Sequence, residues 1–399
     1  MSSSCPSNDQ WREASTLIIV TQSSSVSKIC PSNAGEHKNI VISEFDPSIN
    51  DNGLNGPQFR DESDYRILMV KRSYLSSFMA SAYVFPGGAI EKSDFSPKWW
   101  QIFGKFGFDQ LKLAQQMSAR ISGSRPPILQ DPLMVRSMKE SGQWSNDHLT
   151  PDIAFRIAAI RETFEETGVA LFIDSNCNHD KNQSWSAWRK SIRDGSTSFV
   201  DFCIETNQCP DIWSLYEWWN WLTPVSVGHR RFDTMFYVCC LDYQPEVILD
   251  DVEVTSLEWS SAGEMIRKHA EDGIFLAPPQ VYELSRIDNL PDFRTIRTFA
   301  RERERYGVQQ WMPVMATFTD GICSLLPGDD LYPVKLDLFG NKPLLNYSVS
   351  MNESRSLAIN LNRIKLQNGV FSCVCNQRLT CGHLSPISDL TIKPLRSML

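Results

Sequence analysis

The sequence lacks long apolar runs and has no surplus of positive charge. Its longest apolar stretches, such as 236–241, are strand-sized and fall far short of the ~20 residues that cross a membrane. The net charge is -8, with 39 Lys and Arg against 47 Asp and Glu, so neither nucleic acid nor an anionic membrane surface is expected as the main partner. Because 1–12 is polar rather than apolar, we also do not expect secretion.

A regular cysteine framework is absent too. The chain has 11 cysteines, an odd number, scattered along its length, which predicts reduced thiols rather than disulfides. One cluster comprises Cys373, Cys375, Cys381 and His383. These residue types suit zinc, but the spacing lacks the usual C-x2-C knuckle. We therefore favour unpaired thiols in a small β hairpin and keep a zinc site as the alternative.

The chain does contain enough apolar residues for a substantial core. Apolar residues make up 42% of its 399 residues and charged residues 22%, which excludes a disordered chain. Patterning predicts strands at 16–21, 65–72, 83–85, 233–243 and 255–259, and helices at 95–123, 150–167, 262–271 and 293–306. We expect a long loop at 22–63 and further helices at 185–221. Strands alternating with helices predict a layered α/β domain.

One predicted helix has clear start and stop signals. Thr150 is a typical N-cap and Pro151 suits the first helical position, where its missing N–H costs nothing. Gly168 is a typical residue for ending a helix.

Three glutamates lie on one face of this helix. Glu162, Glu165 and Glu166 occupy positions i, i+3 and i+4, which places their Cβ atoms about 5–6 Å apart. Hydrolysis of a phosphoanhydride requires neutralisation of phosphate charge and an activated water, and hard cations such as Mg²⁺ prefer oxygen ligands. A solvated acidic face is the alternative. The apolar flanks and Arg161, directly before the set, argue against it.

The segment 161–169 resembles the second half of the Nudix box, the signature of a family of pyrophosphate hydrolases. The matching positions are Arg161, Glu162, Glu165, Glu166, Gly168 and Val169, whereas Thr163 stands where the family prefers an aliphatic residue. The first half should begin at a Gly-Gly turn after a strand, and 85–88 (Phe-Pro-Gly-Gly) resembles that turn. Asp94 stands where the consensus has glutamate, and residues 95–160 interrupt the box.

An interrupted box is typical of one branch of the family, the peroxisomal coenzyme A and acyl-coenzyme A diphosphatases. The resemblance implies a Nudix fold, an α/β/α sandwich around a mixed sheet, with a helical insertion and a C-terminal extension. We expect the Nudix domain at 10–275, a loop insertion at 22–63, the insertion that splits the box at 95–150, and the extension at 276–399. Such insertions are tolerable because closure entropy grows only with the logarithm of length.

The resemblance also implies the reaction and its cofactor. Water would attack the diphosphate of coenzyme A or acyl-coenzyme A and release 3′,5′-ADP and 4′-phosphopantetheine or its acylated form. Glu162, Glu165 and Glu166 would hold Mg²⁺ or Mn²⁺, and Arg161 would orient a glutamate. Glu165 is thus a catalytic candidate. Glu253, in the loop before Trp259, is a second candidate as general base, with a solvated turn residue as the alternative.

Glycines and basic residues are the candidates for substrate binding. Gly87 and Gly88 would let the backbone turn sharply beside the phosphates. Lys71 and Arg72 precede this turn and suit phosphate capture, although they could equally be a solvent-facing strand end. Arg231 is a further candidate for phosphate binding, and a structural role next to Asp233 is the alternative.

Aromatic residues crowd the insertion, namely Trp99, Trp100, Phe103, Phe106 and Phe108. They would shape a pantetheine or acyl pocket, or simply pack the insertion onto the body of the domain. We favour packing, because apolar stripes on helices usually serve that purpose.

Two alternative functions and the cellular location of the protein remain open. The domain could hydrolyse another nucleoside diphosphate derivative, such as a sugar nucleotide, a dinucleotide or an RNA cap, or it could be a catalytically silent ligand-binding domain. The three retained glutamates favour an enzyme. Ser397-Met398-Leu399 resembles the Ser-Lys-Leu type of peroxisomal signal without its basic residue, so we expect a peroxisomal import receptor as partner and, failing that, a cytoplasmic protein.

Overall fold

The computed structural model describes residues 11–23, 63–76, 79–173, 185–228, 230–249 and 254–388. Its strands are β1 (Arg12–Gln22), β2 (Tyr65–Arg72), β3 (Tyr83–Val84), β4 (Gly87–Ala89), β5 (Leu215–Leu222), β6 (Phe232–Leu241), β7 (Val254–Ser260), β8 (Gln310–Trp311), β9 (Val314–Phe318), β10 (Gly321–Leu325), β11 (Leu345–Asn346), β12 (Asn362–Gln367) and β13 (Val370–Cys375).

The helices lie between the strands. They are α1 (Trp99–Lys105), α2 (Gln110–Ala119), α3 (Pro127–Gln130), α4 (Leu133–Glu140), α5 (Pro151–Thr167), α6 (Ser186–Arg193), α7 (Phe199–Thr206), α8 (Ala262–Glu271), α9 (Pro278–Ile287) and α10 (Phe293–Arg303). Most of the expected loop at 22–63 and the whole of Ser397-Met398-Leu399 lie outside the described residues.

The larger sheet is mixed and has β1 at its centre. Its strand order is β3-β2-β1-β6-β5-β8, with β4 also paired to β1 and β7 to β2. β1 and β6 run parallel from Arg12↔Phe232 to Thr21↔Leu241, while β2 and β4 pair with β1 in antiparallel fashion. Leu17, Ile18, Ile19 and Val20 are fully buried, as expected for a strand covered on both faces. With its flanking helices, this mixed sheet confirms the predicted Nudix fold class.

Helix α5 packs directly against β1. The Ser15 hydroxyl donates to the Phe155 carbonyl at 2.7 Å, so the strand and the helix are joined by a buried hydrogen bond as well as by apolar contact. Gly168 ends the helix in the left-handed region with φ 75°, as predicted. Thr150 stands at the N-cap position, but its side chain makes no capping hydrogen bond.

The expectation of helices throughout 185–221 is wrong at its end. Helices α6 and α7 occupy the first part, but Leu215–Leu222 is the strand β5, paired with β6. All but one of its eight residues are buried. A strand buried on both faces shows no alternation of apolar and polar residues, so its periodicity is hidden, although its aromatic content favours a strand.

The insertion after Asp94 packs onto the body of the domain through its aromatic residues. Trp99 is fully buried and its ring lies 5.9 Å from that of Phe199 on α7. Phe103 is also fully buried, and its ring lies 6.3 Å from that of Trp213. These contacts support the packing interpretation of the aromatic cluster.

The smaller sheet lies in the C-terminal part of the chain. Its order is β11-β9-β10-β12-β13, and one of its faces buries a small core formed by Ala316, Phe318, Cys323, Leu325 and Met351. The change from the larger sheet to the smaller one falls between Trp311 and Val314. The division of the chain at residues 275 and 276 stays a prediction.

The cysteine cluster forms no metal site in this structure. Cys373 and Cys375 lie on β13, which forms a hairpin with β12. The Cys373 thiol lies 3.9 Å from the Ser285 hydroxyl, and His383 is buried against Trp218, with ring centroids 4.4 Å apart. Within the described ranges, no three His, Cys, Asp or Glu side chains are grouped so that they could hold a metal ion by themselves. The geometry therefore favours free thiols in a hairpin.

Candidate active site

Two glycines bring strand β4 against the glutamates of helix α5. A Cβ atom on Gly87 would lie 2.4 Å from the Ser15 carbonyl oxygen, and one on Gly88 would lie 2.5 Å from the Glu162 carboxylate. At Gly87 the close atoms belong to the backbone of β1, so only glycine permits this approach. A side chain at Gly88 would instead displace the Glu162 carboxylate. The Gly87 N–H donates to Glu166 Oε2 at 3.0 Å, so the glycine segment holds one glutamate directly.

Arg161 joins the two halves of the interrupted motif. Its guanidinium forms a bidentate pair with Asp94, with Nε to Oδ1 at 2.9 Å and Nη2 to Oδ2 at 3.1 Å. Nη2 also donates to the Ala89 carbonyl at 2.8 Å. Nη1 donates to Glu162 Oε1 at 2.9 Å and to Glu165 Oε1 at 3.1 Å. One buried side chain therefore fixes both glutamates, where a single one was expected.

Burial shifts the pKa values of the charged side chains in this cluster. Burial raises the pKa of Glu162 to about 7, although Arg161 opposes the rise. Burial likewise raises the pKa of Glu165 and of Asp94. Burial alone would lower the pKa of Arg161, but Asp94 and Glu162 hold that pKa well above its ordinary value. The carboxylates thus carry a desolvation penalty that a bound cation would relieve.

The donor set suits a hard divalent cation that shares its coordination shell with substrate. Arg161 engages only Oε1 of Glu162 and of Glu165, and both side chains are partly exposed, by 15% and 13%. Mg²⁺ usually keeps several waters and binds through one or two carboxylates together with phosphates. Within the described residues, no three carboxylates form a group that could hold a metal ion, so oxygens of substrate and water would have to complete the coordination shell.

The glutamates line one side of a large cleft. Its volume is about 820 Å³, and three arginines besides Arg161 share the lining with the glutamates, namely Arg12, Arg72 and Arg193. Glu91 also lines the cleft, with its carboxylate 4.0 Å from Arg161. A cleft with carboxylates for a cation and arginines for phosphates is suited to a polyphosphate ligand.

The predicted basic residues fall in different places. Arg72 lines the cleft and donates to the Ser76 hydroxyl at 2.8 Å. Lys71 lies over the Tyr83 ring at 5.5 Å and is not among the residues that line the cleft. The pairing of β2 with β7 shifts register between these two neighbours, so regular alternation of side chains does not apply at this point of the strand.

Arg231 lies in a different setting from the other candidate phosphate-binding residues. It is buried, and its donors face the Thr223 carbonyl at 2.9 Å and the Leu338 carbonyl at 2.8 Å. Its guanidinium also lies 5.3 Å from the centre of the Trp11 ring. The geometry supports the structural alternative, because the guanidinium is engaged by backbone carbonyls of segments distant in sequence.

Sequence analysis did not predict two of the arginines that line the cleft, nor the pairing of Asp94 with Arg161. Arg12 shares a face of β1 with Ala14 and Thr16, which also line the cleft, so the alternation of β1 is a signal that could have found it. Arg193 is at the end of a helix outside the motif, and the sequence carries no comparable signal. Asp94 was recognised as a motif position, but its pairing with Arg161 was not. Glu253 lies outside the described residues.

Arg161 joins the glycine strand β4 to the glutamates of helix α5, which is the arrangement expected of a Nudix hydrolase. The model of the NUDT19 Nudix domain matches residues 11–287, and the model of the NUDT19 C-terminal domain matches residues 315–376. The chain therefore belongs to the NUDT19 family of Nudix hydrolases. Divalent metal ions are the typical cofactors of Nudix hydrolases.

Curated relatives extend over most of the chain. An acyl-coenzyme A diphosphatase NUDT19 from Xenopus laevis is 35% identical, with 95% of this chain and 96% of the relative covered. The protein of the same name from Homo sapiens is 33% identical, with 69% and 75% covered. A solved Nudix hydrolase from Alicyclobacillus acidocaldarius is 18% identical, with a TM-score of 0.44 and coverage of 73% of this chain and 97% of that one.

Among the described helices, none is both long and apolar enough to span a bilayer.

Proposed function

We propose that this protein hydrolyses the diphosphate of coenzyme A or acyl-coenzyme A. The oxygen of a water would bond to one phosphorus, the P–O–P bridge would break, and 3′,5′-ADP and 4′-phosphopantetheine or its acylated form would be released. The observation that carries the proposal is the Arg161 pairing, which unites the two halves of the interrupted motif. The relatives named acyl-coenzyme A diphosphatase support this substrate class.

The proposed chemistry needs a divalent metal ion, Mg²⁺ or Mn²⁺, held by Glu162, Glu165 and Glu166. When bound, such an ion neutralises diphosphate charge and lowers the pKa of a bound water. Arg161 keeps two of these carboxylates in place, and the Gly87 N–H keeps the third. We keep Glu165 as the catalytic glutamate on the helix.

The protein itself would position the anionic substrate and move the proton. Arg72 and Arg12 line the cleft with the glutamates and would bind the phosphates. We also keep Glu253 as a candidate for the group that removes the proton from water. Lys71 would contribute only to the local electrostatic potential, since its side chain lies on Tyr83.

Turnover measurements on the purified full chain test this proposal. Free coenzyme A and an acyl-coenzyme A are incubated with Mg²⁺, with Mn²⁺ or with a chelator, and products are identified by mass spectrometry. We expect 3′,5′-ADP only when the metal is present. A panel of ADP-ribose, a sugar nucleotide, a dinucleotide and capped RNA serves as comparison. A dominant preference for any of these would overturn the coenzyme A assignment, and no hydrolysis of any substrate would indicate a silent domain.

We also propose a peroxisomal location, on the basis of Ser397-Met398-Leu399 and of the resemblance to the peroxisomal branch. The tripeptide lies outside the described residues. A fluorescent protein fused to the N-terminus, with and without the last three residues, gives the test. Peroxisomal fluorescence that disappears on truncation is expected, and diffuse fluorescence in both cases would contradict it.

A further inference from the structure

The charged residues that line the cleft all come from one part of the chain. All the charged residues that line it within the described chain precede residue 194, and they are Arg12, Arg72, Glu91, Arg161, Glu162, Glu165, Glu166 and Arg193. Lining residues from Trp221 to Phe371 include no charged side chain. The cleft therefore has a charged end at the Nudix motif and an uncharged wall built from later parts of the chain.

The smaller sheet supplies much of this uncharged wall. Met315 and Thr317 of β9, Ile322 and Ser324 of β10, and Leu366 of β12 all line the cleft. They are cross-strand neighbours, since Met315 lies opposite Ser324, and Ile322 lies opposite both Thr317 and Leu366. Side chains alternate along a strand, so these five residues form one face of the sheet.

The two faces of the smaller sheet differ in how they are covered. Residues between those of the wall, such as Ala316, Cys323 and Leu325, are fully buried in the small core on the other face. On the cleft face, Met315, Ile322 and Leu366 are only half-buried. An apolar face that remains open beside a polyphosphate site is suited to an apolar part of the same ligand.

We propose that this wall, composed of Met315, Thr317, Ile322, Ser324 and Leu366, binds the acyl chain of an acyl-coenzyme A, so that the C-terminal sheet determines acyl-chain preference. The inference rests on the proposed function. Its basis is charge complementarity along one continuous cleft. With the diphosphate at the glutamates, the nucleotide half carries a further phosphate and matches the arginines. The pantetheine and acyl half carries no charge and matches the wall.

Substitution of Ile322 tests the wall. Ile322→Asn would place a polar amide against the acyl chain. The measured quantity is kcat/KM for octanoyl-coenzyme A divided by kcat/KM for free coenzyme A. We expect this ratio to fall about tenfold, an effect of the size typical for apolar pockets. Ile359→Asn is the matched control, because Ile359 is 85% exposed in the same extension and does not line the cleft. We expect the control to leave both rates unchanged.

A second variant keeps the test informative if the asparagine lowers stability. Ile322→Phe preserves apolar character but narrows the wall, so the preferred acyl chain should become shorter than in the wild type. A ratio and a chain-length profile equal to those of the wild type in both folded variants would overturn the inference while leaving the proposed function intact. If the wild-type protein hydrolyses no coenzyme A substrate at all, the proposed function itself fails.

Discussion

Helix α5 carries two buried arginines, five positions apart, whose surroundings differ. Arg156 is fully buried near the N-terminal end and pairs with Glu217 at 3.4 Å and Glu304 at 3.1 Å. Arg161 is nearly as buried, but two of its carboxylate partners, Glu162 and Glu165, line the cleft. One helix thus uses the same residue type to join distant segments at one end and to organise a reactive site at the other.

The network around Arg156 holds the insertion in place. Arg120 and Arg125 belong to the insertion, and they pair with Glu304 at 2.8 Å and with Glu217 at 2.6 Å, respectively. None of these carboxylates lines the cleft. Burying charge is costly unless every charge is paired, so this end of the helix depends on a complete network. At the Arg161 end, three acidic side chains share one guanidinium, which leaves net negative charge for a cation.

The largest expected effect comes from breaking the structural network. Glu304→Gln should lower the free energy of unfolding by about 3 kcal/mol, because removal of one partner leaves buried guanidinium charge uncompensated. Turnover per folded molecule should stay the same. Urea unfolding and kcat at a temperature below the transition measure the two quantities. Reduced kcat with unchanged stability would contradict the assignment of this end as structural.

The opposite result is expected at the other end of the helix. Glu165→Gln keeps the shape but removes a metal-binding charge, and a loss of several kcal/mol of transition-state stabilisation corresponds to at least about a hundredfold in kcat/KM. The free energy of unfolding should remain equal or rise slightly. Initial rates over a range of Mg²⁺ concentrations provide the measurement. Undiminished metal-dependent turnover would remove Glu165 from the site.

Buried acids that are held by neutral donors should behave differently from both clusters. Glu13 accepts hydrogen bonds from the Leu133 and Met134 amides at 2.6 Å and 2.9 Å, and burial raises its pKa from 4.5 to about 7. Burial also raises the pKa of Asp233 from 3.8 to about 7. The folded chain then keeps protons that the unfolded chain releases, so stability falls as pH rises from about 4 to about 7.

Glu13→Gln isolates one of these contributions. Between pH 4.5 and pH 7.5, the wild type should lose about 3 kcal/mol more stability than the variant, given 1.36 kcal/mol per unit of pKa shift. Urea unfolding at the two pH values measures the difference. Parallel pH dependences of the two proteins would show that Glu13 titrates in the folded state as it does in the unfolded state.

The smallest effect concerns the start of helix α5. Since the Thr150 side chain makes no capping hydrogen bond, Thr150→Ala should change the free energy of unfolding by less than about 0.5 kcal/mol. Ser261 is the control, because its hydroxyl accepts from the Glu264 N–H in a capping box, and Ser261→Ala should cost about 1 kcal/mol. Equal losses in thermal denaturation would mean that Thr150 caps the helix in solution.

The parts of the site that lie close together in sequence were predictable. The spacing of Glu162, Glu165 and Glu166 depends only on helical periodicity. The stop signal at Gly168 likewise acts within one turn of helix. These features need no knowledge of the remaining chain, so the sequence predicts them correctly. Gly87 and Gly88 were expected in a turn but lie in the short strand β4, directly after the bend at Pro86.

Features that depend on distant segments were not predictable. Arg231 and Arg72 are both basic residues near strand ends, yet only the packing of Leu338 and Thr223 shows that Arg231 is covered. The wall on the smaller sheet is equally hidden, because alternation marks two faces without showing which of them is open. Strand β5 was missed since both its faces are buried.

The pairing of Asp94 with Arg161 has a consequence for chain connectivity. These residues are 67 positions apart, and a side-chain pair rather than the intervening backbone brings them together. The insertion also has exposed residues at 145–147. We therefore expect two fragments separated at Asn146 to reassemble a working centre. The length of the insertion could then vary without displacing a catalytic atom.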